Sequence, residues 1–339
     1  MQNALKVALS HIAAGQWLDC AMTEAAVSVI VEGNATPAQT GAFLLGLRSR
    51  GESRDEILGT VQTLRQRMKT ISAPDAAIDI VGTGGDHSGS YNISTAVALT
   101  VAACGIPVAK HGNRSVSSRS GAADVLQTLG VNLECDFARL EKALNEAGIC
   151  FLMAPRHHPA MKAVAPVRAE LGTRTIFNLV GPLTNPAGVE KHLIGVFDRH
   201  WLRPFAEVLR LLKSTSAWIV HGEDGLDEIT TTGKTFVAEL RNGEIREFEI
   251  HPEQAGLFLT PATDLKGGDA ATNAAALRAL LAGSQNAYRN IVLMNAAAAL
   301  IVAGKTENLK TGVEMAKAAL DSGKARNVLD RLVSITNEA

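Results

Sequence analysis

The sequence predicts an α/β protein with a small helical N-terminal domain and a large domain built on a central, mostly parallel sheet. Three features of the chain point to this class. The first 70 residues carry only helical patterns, strand and helix patterns alternate from Ala76 onward, and glycine-containing loops follow two of the strands. We expect a helical domain over residues 1–70 and a large α/β domain over residues 71–339.

Helix-start signals define the N-terminal domain. Thr36-Pro37 places a capping residue before a proline at the first helical position. Ser53, followed by Glu56, forms a capping box at the start of another helix. A further helical stretch, Pro159–Gly172, interrupts the sheet-forming part of the chain. We expect it to pack against the N-terminal helices, so that helices around residues 159–185 complete the helical domain.

The large domain begins with a β-branched run that ends in glycines. Strand candidates then alternate with helical segments, a pattern typical of parallel strands covered by helices. Two later runs, joined by Arg241-Asn242-Gly243, indicate an antiparallel hairpin, and the chain beyond Gly268 returns to helices. The predicted parallel strands are Ile78–Val81, Ile106–Ala109, Ile149–Met153, Leu193–Phe197 and Trp218–His221, and the hairpin strands are Thr235–Leu240 and Glu244–Ile250.

Composition argues against a polymeric partner. The 339 residues include 33 Lys and Arg against 34 Asp and Glu, so the chain lacks the basic footprint that nucleic acid requires. No apolar run approaches the roughly 20 residues of a membrane helix, and the N-terminus has no signal-peptide pattern. Cys20, Cys104, Cys135 and Cys150 lack CxxC spacing and fit buried free thiols. We therefore expect a cytoplasmic protein with a small anionic ligand, without membrane or nucleic-acid partners.

Gly82-Thr83-Gly84-Gly85-Asp86 follows the first predicted strand and is the best candidate for a phosphate loop. Glycines permit positive φ and let main-chain N–H groups approach an anion. The helix that opens at Asn92-Ile93-Ser94-Thr95 adds its positive N-terminal end and two hydroxyl groups. The alternative is a sharp turn before a capped helix.

A second polar loop follows the next strand and reads Lys110-His111-Gly112-Asn113-Arg114-Ser115-Val116-Ser117-Ser118. Open α/β proteins bind ligands at the carboxyl ends of their strands, and this mixture of cations, amide and hydroxyls suits an oxygen-rich anion. A solvated surface loop is the alternative. Two such loops side by side indicate a ligand with more than one phosphate.

Four carboxylates lie within Glu223-Asp224-Gly225-Leu226-Asp227-Glu228. Carboxylates this close repel one another unless water or a cation intervenes. Mg²⁺ binds through one or two carboxylates together with substrate phosphates, which favours Asp227 and Glu228 as metal ligands over an acidic surface turn. The adjacent pair His157-His158 lacks metal-ligand spacing. Since the sequence contains no nucleophile elbow, the expected chemistry is positioning and charge stabilisation.

Taken together, these motifs resemble those of anthranilate phosphoribosyltransferases. The resemblance rests on GTGGD at 82–86, NIST at 92–95, KHGNRSVSSRSGAAD at 110–124, APVRAELGTRTIFNLVGPLTNP at 165–186 and HGEDGLDE at 221–228. It implies a fold of the nucleoside phosphorylase and phosphoribosyltransferase type, and a homodimer formed through the helical part. It also implies transfer of phosphoribosyl from 5-phosphoribosyl 1-diphosphate to anthranilate, with release of diphosphate, in the second step of tryptophan biosynthesis from chorismate.

The resemblance assigns catalysis to Lys110, Asp227 and Glu228, and it assigns two Mg²⁺ ions to Ser94, Asp227 and Glu228. Breaking the bond from ribose C1 to diphosphate builds negative charge on the leaving group, which Mg²⁺ and Lys110 can stabilise. The aromatic amine is nucleophilic while neutral, so it needs orientation more than deprotonation.

Anthranilate is expected to contact Gly82, Asn113 and Arg168, with the planar fork of Arg168 facing its carboxylate; a helix-surface charge is the alternative for Arg168. Ala122 stands where relatives often carry serine, which puts one hydroxyl contact to the ligand in doubt. The residues expected around phosphoribosyl diphosphate are Gly82, Gly85, Asp86, Ser90, Asn92, Ile93, Ser94, Thr95, Lys110, His111, Gly112, Asn113, Arg114, Ser115, Val116, Ser117, Ser118 and Ala122.

Two alternative functions remain open. A pyrimidine nucleoside phosphorylase shares the general fold and also acts at ribose C1, but it would not need the pair Asp227-Glu228. A non-enzymatic relative that binds nucleic acid or a regulatory ligand would show a basic surface and would lose Arg168 or the acidic pair.

Overall fold

The computed structural model describes residues 2–114 and 120–338. The N-terminal region is helical, with α1 (Gln2–Ala13), α2 (Cys20–Val31), α3 (Pro37–Arg50) and α4 (Arg54–Arg65). Both predicted helix starts are confirmed. Thr36 accepts the Gln39 N–H at the start of α3, and Ser53 and Glu56 form a reciprocal capping box at the start of α4.

The strands of the described residues are β1 (Ile78–Gly82), β2 (Val108–Gly112), β3 (Ile149–Met153), β4 (Lys191–Gly195), β5 (Ser216–Gly222), β6 (Thr235–Arg241) and β7 (Glu244–Ile250). They form one sheet in the order β3-β2-β1-β4-β5-β6-β7. The strands β1 to β5 pair in parallel, whereas β6 and β7 are antiparallel. The predicted mostly parallel sheet with a terminal hairpin is therefore confirmed.

One predicted strand boundary was wrong in a way that matters for the site. The second strand was expected to end at Ala109, but β2 continues through Lys110 and His111 to Gly112, pairing with β3 along this stretch. Polar residues are typical of a loop, yet pairing with β3 satisfies the backbone groups of Lys110 and His111. Lys110 therefore projects from a strand inside the sheet.

The remaining helices cover both faces of the sheet. They are α5 (Ile93–Ala103), α6 (Ala122–Thr128), α7 (Phe137–Glu146), α8 (Ala154–His157), α9 (Ala165–Leu171), α10 (Phe177–Val180), α11 (Leu202–Leu211), α12 (Ala270–Leu281), α13 (Ala287–Val302), α14 (Leu309–Asp321) and α15 (Lys324–Thr336). Within residues 2–114 and 120–338, none of the helices combines the length and the apolar character that a membrane crossing requires.

Successive side chains of a strand point to opposite faces of the sheet, and each face packs into its own apolar core. In β5, Trp218 and Val220 belong to the core shared with α5 and α13, whereas Ala217 and Ile219 face the core shared with α11 and the N-terminal helices. The stretch Pro159–Leu171, a 3₁₀ turn followed by α9, contacts α2 and α3. The assignment of that stretch to one helical domain with residues 1–70 stays a prediction.

Candidate active site

Asp227 lies against the ends of β1 and β4, where two glycines leave room for it. A Cβ at Gly82 would lie 3.0 Å from Asp227 Cγ and closer still to Oδ2, and a Cβ at Gly195 would overlap the Asp227 carbonyl oxygen. The Gly84 N–H donates to Asp227 Oδ2 at 2.7 Å. The glycine-rich loop after β1 is therefore shaped around this carboxylate.

Lys110 connects the second strand to the start of α5. Its side chain is buried, and Nζ donates to the Ile80 carbonyl at 2.6 Å and to Ser94 Oγ at 3.1 Å. Burial lowers the pKa of Lys110, while the carboxylates of Asp79 and Glu228 act in the opposite direction. A buried ammonium thus stands beside Ser94, one of the predicted metal ligands.

The predicted metal carboxylates, the buried Asp227 and the half-buried Glu228, lie near a third one, Asp86. Burial raises the pKa of Asp227 well above its usual range, and the neighbouring Asp86 and Glu228 raise it further. Burial also raises the pKa of Glu228 to about 7, with Lys110 acting in the opposite direction and Asp86 in the same one. Glu228 accepts the Ser94 N–H at 3.2 Å. These oxygen groups fit a divalent cation, whose charge would offset their mutual repulsion.

A complete protein cage for a metal is not preformed. Among the described residues, no three His, Cys, Asp or Glu side chains are grouped so that they could hold an ion. This agrees with the way Mg²⁺ is usually bound, through one or two carboxylates, water and substrate phosphates.

Arg174 contacts the glycine-rich loop and is not among the predicted site residues. Its guanidinium donates to the Gly85 carbonyl and lies 3.9 Å from the centroid of the Phe197 ring. Gly85 has φ of +77°, a conformation that favours glycine. Arg174 stands in the stretch 165–186 that carried the resemblance, but its spacing alone does not reveal its partner.

The rest of this loop is held by hydrogen bonds among its own residues and by Lys266. Asp86 accepts the Ser88 N–H at 3.1 Å, and the Ser88 hydroxyl donates to the Ser90 hydroxyl at 3.1 Å. Lys266 Nζ donates to the Ser88 carbonyl, and the backbones of Ser90 and Lys266 form an isolated antiparallel bridge. The predicted ligand residues Asp86 and Ser90 therefore lie on one braced turn.

At the start of α5, the side chains of Asn92, Ile93 and Thr95 are engaged or buried within the fold. The Asn92 amide donates to the Ser120 carbonyl at 3.4 Å and accepts from Asn273 Nδ2 at 2.8 Å. Ile93 and Thr95 are buried, and Thr95 Oγ1 has no hydrogen-bond partner among the described residues. The Ile93 N–H is engaged as well, donating to the Tyr91 carbonyl at 2.8 Å.

The second loop begins with the buried residues Lys110 and His111 and becomes exposed at Asn113 and Arg114. The His111 N–H donates to Asp79 Oδ1, and its Nδ1–H donates to the Gly181 carbonyl, each at 3.1 Å. Burial lowers the pKa of His111 to about 3, so the ring is neutral. A Cβ at Gly112 would lie 2.8 Å from the Phe151 ring, so only glycine fits there without a shift.

Asn113 and Arg114 are exposed, and Arg114 forms an ion pair with Asp124 at 3.1 Å. Ala122 opens α6 directly after this loop. Four of the predicted ligand residues, Ser115, Val116, Ser117 and Ser118, lie outside the described residues.

Arg168 is half-buried on α9. Its Nη2 is 3.5 Å from Asn178 Oδ1, and the guanidinium carbon lies 5.6 Å from the centroid of the Phe177 ring. Burial lowers the pKa of Arg168. Within the described part of the chain it forms no ion pair. The planar guanidinium of Arg168 is therefore suited to pair with a carboxylate of a bound ligand.

Comparison with known proteins decides the family. Residues 6–68 match the helical bundle domain of the glycosyl transferase family, and residues 74–326 match its a/b domain. The chain is 59% identical over 335 residues to the anthranilate phosphoribosyltransferase of Azospirillum brasilense, covering 99% of this chain and 94% of that relative. The relative from Rhodospirillum rubrum is 57% identical, covering 98% of this chain and 96% of its own.

The chain belongs to the anthranilate phosphoribosyltransferase family. A crystal structure of the anthranilate phosphoribosyltransferase from Thermus thermophilus has a TM-score of 0.92 and 41% identity to it, covering 98% of this chain and 99% of that one. The enzyme from Saccharomyces cerevisiae, in complex with PRPP and Mg, has a TM-score of 0.91 and 25% identity over 99% of this chain and 98% of that one. The protein is thus a glycosyltransferase of the pentosyltransferase class, and the predicted fold is confirmed.

Proposed function

We propose that the protein transfers the phosphoribosyl group of 5-phosphoribosyl 1-diphosphate to the amine of anthranilate, with release of diphosphate. The observation that carries this proposal is the cluster of the buried Lys110 and Asp227 with the half-buried Glu228 near the start of α5. It combines a cation for a departing diphosphate with carboxylates for its metal. The yeast relative that binds PRPP and Mg supports the choice of substrate class.

Two Mg²⁺ ions would be held by Ser94, Asp227 and Glu228 together with the diphosphate of the substrate. When bound, Mg²⁺ supplies positive charge against the diphosphate oxygens. The chain itself supplies the ammonium of Lys110, which is held on a strand and so needs no rearrangement to meet developing negative charge.

The remaining predicted contacts divide between the two substrates. Anthranilate would contact Gly82, Asn113 and Arg168, and its carboxylate would pair with the guanidinium of Arg168. The diphosphate and ribose phosphate would contact the backbone N–H groups of the glycine-rich loop and of α5, together with the second loop. These residues are Gly82, Gly85, Asp86, Ser90, Asn92, Ile93, Ser94, Thr95, the loop 110–118 and Ala122.

A second copy of the chain is the partner we infer, bound through the helical part that residues 1–70 and 159–185 would form. Leu9, Ile12, Ala42 and Gly46 line an apolar groove between α1 and α3. Beside it, Leu45 on α3 is 47% exposed. An apolar surface of this kind on a small helical unit favours burial against an identical surface.

An assay with anthranilate, phosphoribosyl diphosphate and Mg²⁺, followed by the loss of anthranilate fluorescence, tests the activity. We expect turnover by the wild type and almost none by the Asp227→Asn, Glu228→Gln double variant. Arg168→Ala should chiefly raise the KM for anthranilate, because it removes a contact to that substrate alone. Phosphorolysis of a pyrimidine nucleoside without anthranilate turnover would contradict the proposal.

A further inference from the structure

Asn295 is a fully buried amide in the alanine-rich helix α13, and it binds the backbone directly after Glu228. Its Oδ1 accepts the Ile229 N–H at 2.9 Å, and its Nδ2 donates to the Ile229 carbonyl at 2.7 Å. The same Nδ2 also donates to the Ile291 carbonyl at 2.9 Å, within the helix. Both backbone polar groups of Ile229 are thus tied to one side chain of α13.

Tyr288, near the start of the same helix, holds the chain just before Ser94. Its side chain is buried, and its hydroxyl donates to the Asn92 carbonyl at 3.2 Å. Its ring lies 4.5 Å from the Tyr91 ring, centroid to centroid. Burial raises the pKa of the Tyr288 hydroxyl, and the Glu228 carboxylate raises it further, so the phenol remains a donor.

These two side chains lie on one face of a rigid element. Tyr288 and Asn295 are two helical turns apart, about 10 Å along the axis. The segments that they hold come from distant parts of the sequence and meet where the Ser94 N–H donates to Glu228 at 3.2 Å. The helix therefore spans the junction between the start of α5 and the acidic loop.

We propose that Tyr288 and Asn295 are positioning residues, through which α13 fixes the separation of Ser94 from Glu228 and thereby the geometry of the metal site. The inference rests on the proposed metal role of Ser94, Asp227 and Glu228. Packing of the core does not require an amide at position 295, because every other residue of α13 from Ile291 to Val302 is apolar. The amide is needed by Ile229, whose loop backbone would otherwise be buried without a partner.

The experiment compares Tyr288→Phe and Asn295→Ala with Leu300→Ala, a variant of a fully buried residue on the same helix. Mn²⁺ replaces Mg²⁺, and the free ion is counted by electron paramagnetic resonance in the presence of phosphoribosyl diphosphate. We expect Asn295→Ala to weaken Mn²⁺ binding about tenfold or more, and Tyr288→Phe to weaken it several-fold. Leu300→Ala should lower the melting temperature at least as much as Tyr288→Phe without changing Mn²⁺ binding.

A second readout does not depend on Asn295→Ala folding well. Tyr288→Phe keeps the ring and its packing, so we expect a higher Mg²⁺ activation constant with an unchanged KM for anthranilate. Mn²⁺ binding at the wild-type level in both positioning variants, alongside loss of binding in Asp227→Asn, Glu228→Gln, would overturn the inference and leave the metal assignment intact. Full Mn²⁺ binding by that double variant would instead overturn the metal assignment, and the inference with it.

Discussion

At the scale of single residues, the site depends on backbone that passes unusually close to a carboxylate. Gly82 has no positive φ that demands glycine; its absent side chain is what leaves space for Asp227. The sequence predicted glycine here as a feature of a phosphate loop. It could not predict that the same glycine accommodates the side chain of Asp227, 145 positions later. Asp227 follows β5 and reaches the end of β1 only because β4 pairs with both strands in the sheet.

Gly82→Ala tests this reading of the loop. The new methyl group would displace the Asp227 carboxylate, and we expect about a tenfold or greater loss of kcat/KM, a change of ~1.4 kcal/mol in transition-state stabilisation. Steady-state kinetics at varied Mg²⁺ check it. Gly41→Ala is the matched control, since its nearest neighbour is Val167 Cγ1 at 3.8 Å, and it should retain full activity. Equal activity of both variants would contradict the steric argument.

The raised pKa of Glu228 predicts how metal binding depends on pH. A carboxyl group with a pKa of about 7 is largely protonated below that pH, and a proton competes with the cation. We therefore expect the Mg²⁺ activation constant to rise as the pH falls through 7, as measured by kinetics on both sides of that value. Glu228→Gln should weaken this dependence, leaving the part that arises from protonation of Asp227, whose pKa burial also raises.

The same group makes the metal-free protein less stable as the pH rises. Between the ordinary pKa of 4.5 and the folded value of about 7, the folded protein holds a proton that the unfolded chain has released. The free energy of unfolding contributed by Glu228 therefore falls across this window, and Mg²⁺ with substrate should restore it above pH 7. A metal-free stability that rises in step with pH in the wild type and in Glu228→Gln alike would contradict the assignment.

At the scale of elements, local signals predicted helices and strands well but not which polar residues are buried. The helix caps at Thr36 and Ser53 are local chemistry, and both appear as expected. The polar composition of 110–118 predicts a loop that includes Lys110, whereas Lys110 lies in β2 and its ammonium donates to the Ile80 carbonyl and to Ser94. The sequence does predict a buried hydrogen bond for Asn295, because an amide in an alanine-rich helix needs a partner, and the Ile229 N–H is that partner.

Glu56 is a single buried carboxylate that joins several elements, and we expect its removal to lower the free energy of unfolding strongly. It is fully buried and accepts from the Leu18 N–H at 3.0 Å, from the Ser53 N–H at 2.8 Å and from Arg50 Nη2 at 2.5 Å. Glu56→Ala leaves the mostly buried Arg50 without this partner, and we expect a loss of about 3–5 kcal/mol in the free energy of unfolding. Urea denaturation measures it.

The adjacent residue provides the control for this prediction. Asp55 pairs with Arg54, and these side chains are 40% and 45% exposed. We expect Asp55→Ala to cost less than about 1 kcal/mol, because water screens an exposed pair. Comparable losses in Asp55→Ala and Glu56→Ala would show that the three hydrogen bonds accepted by Glu56 stabilise the fold no more than an exposed ion pair does.

At the scale of the whole molecule, the sheet separates two cores that the sequence could only suggest. Strand–helix alternation predicted a parallel sheet, and the segment after Pro159 was expected to return to the N-terminal helices, which it contacts. The alternation did not reveal that the N-terminal helices share a core with one face of β4 to β6 through α11. Such contacts join residues far apart in sequence, so local periodicity carries no information about them.

The last prediction concerns assembly through the helical part. Leu45 on α3 is 47% exposed, and it precedes Gly46, which lines the apolar groove that we assign to a second copy. Leu45→Glu would place a charge in that contact without disturbing the core of the single chain. We expect Leu45→Glu to elute as a monomer, and the wild type as a dimer, in size-exclusion chromatography with light scattering at micromolar concentration.

Leu211→Glu is the matched control, because Leu211 is equally exposed at 47% but lies at the end of α11. That variant should remain dimeric, since an exposed charge there meets only solvent. Melting curves of the two variants should coincide at concentrations where both are monomeric, because neither substitution removes buried side-chain contacts within one chain. A dimeric Leu45→Glu together with a monomeric Leu211→Glu would move the interface from α3 to α11, and with it the place of the helical part in the assembly.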